Sequence, residues 1–173
     1  MSYDLSLFNF LHDLAGQSKI FDILIVFFAT YLPYLMVLGA LVILFLEPSW
    51  RKRFRNFALT ALSVLLASGI ITSLIKYFYL HPRPFIALGF MPLLSRDSSP
   101  SFPSSHTVLI FAIAFAVFFF ARKWGWLYLA AATLVGIARV AGGVHWPSDI
   151  IGGIAIAAIS VLVVNWALAK TSK

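Results

Sequence analysis

The sequence contains no cysteine. That excludes disulfides, thiolate-bound zinc and cysteine-held iron–sulfur clusters, and it leaves the redox compartment unreadable. Charge is scarce as well: 11% of the 173 residues are Asp, Glu, Lys or Arg, and only 6 residues are acidic. A soluble domain carries about 25% charged residues. No internal repeat and no low-complexity tract is present. What fills the chain instead is apolar, 61% of it, including 17 phenylalanines. This composition describes an integral membrane protein, all-α, with residues 1–173 forming one domain. A net charge of +7 in a soluble protein would suggest nucleic acid. Here it fits anchoring to anionic membrane lipids together with an anion site, and no nucleic-acid partner is expected.

The apolar stretches separate cleanly. Residues 1–17 come first, with Leu7, Phe8, Leu11 and Leu14 on one side and Ser2, Ser6, Asn9 and Asp13 on another. That period predicts an amphipathic helix lying at the membrane interface, too short and polar to cross. The stretch also lacks the basic region of a cleavable signal, so the first span is expected to be retained. Residues 18–173 then predict a bundle of about five transmembrane helices. The spans are Ile20 to Leu46, with a kink at Leu32-Pro33, then Phe57 to Tyr79, Ser104 to Ala121, Trp124 to Ala141 and Pro147 to Ala169. Small residues four apart, Ala132 with Gly136 and Gly153 with Ala157, read as helix-packing contacts.

Basic residues set the orientation. Arg51, Lys52, Arg53 and Arg55, then Arg122 and Lys123, then Lys170 and Lys173 all fall on one side if the spans alternate. Assigning that side to the cytoplasm turns the loops holding Arg83, His106 and His145 outward.

Three polar constellations meet at that outward face. In KYFYLHPRPF, Lys76 sits near a span end, where a lysine ordinarily snorkels to the headgroups. Arg83 lies between two prolines that restrict the backbone and aim its guanidinium. In SFPSSHTV, Ser104 or Ser105 caps the third span, whose free N–H groups suit an anion, with His106 in the first turn. An ordinary capped helix with an interfacial histidine has the same sequence. In ARVAGGVHWPSD, His145 and Asp149 are four apart at the start of the last span, so the carboxylate can fix an imidazole tautomer. Arg139 lies six residues upstream. A helical His/Asp pair is often structural, and His106, His145 and Asp149 are also zinc-compatible ligands. Three permanent cations nearby disfavour a divalent ion and favour an anion, so no metal and no cofactor is expected.

K-x6-RP, PS-x-H and R-x5-H-x3-D, in this order and each at a span end, resemble the three signature motifs of the type-2 phosphatidic acid phosphatase superfamily of membrane lipid phosphatases. Ser105 stands where that family commonly has glycine, and Ala138 where it commonly has serine. The short outer loop and small size resemble bacterial undecaprenyl-diphosphate phosphatases of the bacitracin-resistance type. The resemblance implies a metal-independent phosphatase that acts on a lipid phosphate or pyrophosphate through a phosphohistidine. His145 is then the nucleophile, Asp149 its support and His106 the acid and base. Lys76, Arg83, Ser104, Ser105 and Arg139 hold the phosphate. It further implies the bacterial plasma membrane, with the site extracytoplasmic. The competing readings are a phosphatidic acid or phosphatidylglycerophosphate phosphatase, and a non-catalytic lipid-headgroup binder or transporter.

Overall fold

A computed structural model describes residues 2–171, and all regular structure among them is helical. Seven helices follow one another: α1 (Ser2–His12), α2 (Lys19–Leu46), α3 (Trp50–Phe78), α4 (Pro84–Leu88), α5 (Ser105–Phe120), α6 (Arg122–Ala141) and α7 (Pro147–Thr171). Four of them, α2, α3, α6 and α7, are long and apolar enough to cross a bilayer. Their outer faces carry exposed residues such as Leu38, Phe45, Leu74, Ile159 and Leu162, the surface expected against lipid tails.

The expected third span differs from the rest. At 16 residues, α5 is about 24 Å long, short of the roughly 30 Å hydrocarbon core. It does not need that length, because it is the axis of the bundle and barely meets lipid. Val108, Ile110, Ala112, Ala114, Ala116 and Val117 are buried completely or nearly so, and α3, α6 and α7 pack around them. Ala132 of α6 and Ala157 of α7 belong to the same core, in keeping with small residues letting helices approach. The link from α5 to α6 is the single residue Ala121. So tight a reversal needs Gly125, where a Cβ would lie 2.4 Å from Phe118 Cα.

Two spans contain π-helical turns. The first, Phe27–Tyr31, runs directly into Leu32-Pro33, where the sequence suggests a kink. Pro33 has no N–H to donate and its ring crowds the carbonyl four residues back, so the wider turn relieves both. The second, Leu65–Ile71, interrupts α3, and Thr72 Oγ1 donates to the Ala67 carbonyl at 2.8 Å.

The second span begins earlier than hydropathy indicates. Arg51 to Arg55 form the opening turns of α3 instead of a loop before it, starting at Trp50. That helix start, the C-terminal end of α2 and the far ends of α5 and α7 line one cavity of about 340 Å³, which includes Lys52, Arg55, Phe120 and Asn165. The basic residues therefore gather at one end of the bundle; Lys173 lies outside the described residues.

α1 is more than an interfacial float. Phe8 is buried against His12, Phe90 and Trp146, while Tyr3, Leu7 and Phe10 remain exposed. Asp4 accepts from the Ser148 N–H at 2.9 Å and from Ser148 Oγ at 2.7 Å, and His12 Nδ1 lies 2.8 Å from the Ala141 carbonyl. The helix ends at His12, ahead of the expected boundary at 17, and is docked on α6 and α7 at the end opposite the basic cavity.

Candidate active site

At that end, three connections converge. Ser104 opens α5 as its N-cap, and its Oγ accepts from the Thr107 N–H. Its own N–H donates to the Asp149 carbonyl at 3.3 Å, which ties the start of α5 to the start of α7. Between α6 and α7 the chain turns through Gly143, at φ +81, a conformation glycine adopts without strain. A Cβ there would also strike Phe90 at 2.7 Å. This turn delivers His145 into the protein, 1% exposed, with Asp149 fully buried one helical turn later.

The Asp149 carboxylate fixes the imidazole. His145 Nδ1 lies 3.1 Å from Asp149 Oδ2. A carboxylate only accepts, so Nδ1 carries the proton and Nε2 keeps its lone pair. Two further donors hold the same oxygen, Ser101 Oγ at 2.5 Å and the Trp146 N–H at 2.8 Å. Burial holds His145 down to about 4; Asp149 works against that shift, while Arg139 and Arg83 reinforce it. At neutral pH the ring is therefore an uncharged base.

Arg83 faces the free nitrogen. It is the N-cap residue of the short α4, with extended backbone before Pro84, and is 2% exposed. Its Nε donates to the Ser99 carbonyl at 2.9 Å, and Nη2 to Ser99 Oγ at 3.0 Å and Asp97 Oδ2 at 2.6 Å. Nη1 donates to the Val144 carbonyl at 3.3 Å and sits 3.5 Å from His145 Nε2. All five guanidinium N–H groups are thus directed at protein atoms. Burial lowers the Arg83 pKa, with Asp97 and Asp149 opposing it. Asp97 stays ionised: its partial burial is outweighed by hydrogen bonds from Ser99 and by the charges of Arg83 and Lys76.

The remaining expected residues border this centre. Lys76 and Arg139 are each partly buried, and the Arg139 Nε is a buried donor with no protein acceptor. His106 is exposed, in the first turn of α5. Ser105, beside it, is half-buried. Ala138 packs with Ala29, Leu94 and Val144, so an apolar contact stands where a hydroxyl is common. The start of α7 is not available to an anion as the start of α5 is, because Asp4 occupies the Ser148 N–H. Among the described residues, no three His, Asp or Glu side chains are grouped as metal ligands.

Four residues of this centre escape a reading of the sequence: His81, Asp97, Ser99 and Ser101. Asp97 gave one signal, being one of only 6 acidic residues and lying in the outer loop. The two serines are indistinguishable from loop filler without coordinates.

A buried, carboxylate-held imidazole with Arg83 facing its free nitrogen, at one end of an apolar helical bundle, is the arrangement expected of a membrane phosphatase. The chain belongs to the PAP2 superfamily, whose description matches residues 57–173. Over 95% of its length it is 32% identical to the bacitracin transport permease protein BcrC of Bacillus licheniformis, covering 80% of that protein. Identity is also 32% to the undecaprenyl-diphosphatase BcrC of Bacillus subtilis, over 92% of this chain and 80% of the relative. In fold it is similar to the crystal structure of Aquifex aeolicus LpxE, with a TM-score of 0.79, 24% identity and 95% of each chain covered.

Proposed function

We propose that this protein hydrolyses the terminal phosphate of a lipid pyrophosphate, undecaprenyl diphosphate to undecaprenyl phosphate, at the extracytoplasmic face of a bacterial plasma membrane. The observation that carries the chemistry is the His145 ring, with Nδ1 on Asp149 and Nε2 facing Arg83. The substrate is favoured by the likeness to a relative named undecaprenyl-diphosphatase over most of both chains.

In the first step, His145 Nε2 attacks the terminal phosphorus. A P–N bond forms and the P–O bond to the lipid monophosphate breaks. His106 gives its proton to the departing oxygen. Asp149 stabilises the imidazolium that develops, and Lys76, Arg83, Arg139, Ser104, Ser105 and the α5 N–H groups surround the phosphoryl oxygens. In the second step, His106 takes a proton from water, whose oxygen attacks phosphorus. The P–N bond breaks, releasing inorganic phosphate and neutral His145. Before attack, Arg83 Nη1 must exchange His145 Nε2 for a phosphoryl oxygen, which frees the lone pair when substrate arrives.

The test is phosphate release by purified protein, in excess chelator, from undecaprenyl diphosphate, phosphatidic acid and phosphatidylglycerophosphate. We expect the diphosphate to be preferred and a base-stable, acid-labile phosphoenzyme to be trapped. His145→Ala should abolish both. Turnover in that variant, or a requirement for zinc, would overturn the mechanism. Lipid binding without any hydrolysis would favour the binder or transporter reading.

A further inference from the structure

The two oxygens of Asp149 are treated very differently. Oδ2 receives His145, Ser101 and Trp146, whereas Oδ1 is buried and has no hydrogen-bond partner. A buried carboxylate oxygen without a donor is costly, and each such atom in a folded protein calls for an explanation. The group facing it is His81 Nδ1, at 3.7 Å, which is itself buried and without a partner. A donor and an acceptor, each orphaned, therefore point at one another beside the catalytic pair.

His81 is built to stay there. Its carbonyl accepts from the Ser101 N–H at 2.8 Å, and its N–H donates to the Tyr79 carbonyl at 3.1 Å. Its ring stacks on Tyr79, 5.6 Å between centroids and 8° from parallel, and Trp146 lies 6.4 Å away on another side. Trp146 is pinned in turn by its Nε1–H on the Pro82 carbonyl at 2.9 Å. The backbone is thus fixed, with the ring face against Tyr79. Closing 3.7 Å to an ordinary hydrogen bond takes a shift of about 0.8 Å.

We infer that His81 is a positioning residue of this phosphatase: its Nδ1–H donates to Asp149 Oδ1 and locks the carboxylate that orients His145. This rests on the phosphohistidine reading above. An unanchored carboxylate can rotate Oδ2 away from His145 Nδ1, which releases the tautomer that leaves Nε2 nucleophilic. With Oδ1 held by His81 and Oδ2 by Ser101 and Trp146, the plane of the carboxylate is set from both sides. The effect reaches the chemical step and leaves the phosphate-binding cations untouched.

Two variants of the full-length protein separate the donor from the ring. His81→Phe keeps the stack on Tyr79 and removes the donor. His81→Asn loses the ring and keeps an N–H near the position of Nδ1. We expect kcat on undecaprenyl diphosphate to fall about 10-fold in His81→Phe with KM within about 2-fold, and to return to within about 3-fold of wild type in His81→Asn. Full activity in His81→Phe, or equal losses in both variants, overturns the inference. Should either variant fail to fold, nitrogen-15 histidine spectra of the unaltered protein decide the matter. An Nδ1–H tautomer at His81 is required, and an Nε2–H tautomer is fatal. His145→Ala is measured in parallel: turnover there sinks the phosphohistidine reading, whereas the spectra judge His81 independently.

Discussion

Asp149 and Arg83 approach His145 from opposite sides, and each limits what the ring can do. The carboxylate selects the tautomer, so Asp149→Asn should reduce kcat by about 10³- to 10⁴-fold, the size of loss expected when a buried partner stops fixing the base. The pH profile carries a second signature. On the proposed mechanism His145 must be neutral to attack, and burial sets its pKa at about 4 in spite of Asp149. The acid limb of kcat/KM should therefore fall through about pH 4, not near 6.5. Because the carboxylate raises the His145 pKa, Asp149→Asn should move the residual acid limb to lower pH. Arg83 raises a different point. Asp97 competes with any incoming phosphate for Nη2, while Ser99 supplies two other contacts that keep the guanidinium in place. Asp97→Asn should therefore lower KM and tighten product inhibition by phosphate. The Asp97 side chain is 54% exposed, so solvent screens the pair. At roughly 0.2–1 kcal/mol the change is about 1.4- to 5-fold, read from initial rates with and without added phosphate.

Among the elements, α1 is where sequence and structure part most usefully. The spacing of Leu7, Phe8 and Leu11 predicts an amphipathic helix, and the structure has a helix over Ser2–His12 that buries Phe8. Its partners are not legible in the spacing, because Asp4 reaches Ser148 and His12 reaches Ala141 across more than 120 residues. Periodicity reports which face is apolar; it cannot report which distant backbone group a polar side chain will satisfy. The three motif clusters were readable for the opposite reason. Charged and imidazole groups at the ends of apolar spans are expensive, so their positions stand out against the background. The serines and His81 that complete the site are cheap in a polar loop and leave no such mark. Asp4 also makes a prediction at this scale. It satisfies an orphan N–H in the first turn of α7, the turn that contains Asp149, and removing such a cap costs about 1 kcal/mol. Asp4→Ala should lower the melting temperature in detergent by roughly 2–4 °C. It should also reduce kcat more than KM, because the turn it braces holds Asp149 and adjoins His145.

For the molecule as a whole, the charges divide the bundle into two ends. Arg51, Lys52, Arg53 and Arg55 open α3 at one end, where Arg122, Lys123 and Lys170 also fall by alternation of the spans. Lys76, Arg83 and Arg139 serve the other end, together with the starts of α5 and α7. A transmembrane orientation is set by the first kind of residue, lysine and arginine near the ends of spans, and not by cations engaged in a pocket. The distribution therefore predicts that the phosphatase centre faces away from the cytoplasm. Absence of native cysteine makes this simple to test. Met91, 77% exposed in the loop between α4 and α5, and Trp50, 73% exposed at the basic end, can each be changed to cysteine alone. An impermeant maleimide should label Met91→Cys in intact cells and Trp50→Cys only after the membrane is opened. The reverse pattern would place the site in the cytoplasm, and a lipid pyrophosphate presented on the outer leaflet would then be beyond its reach.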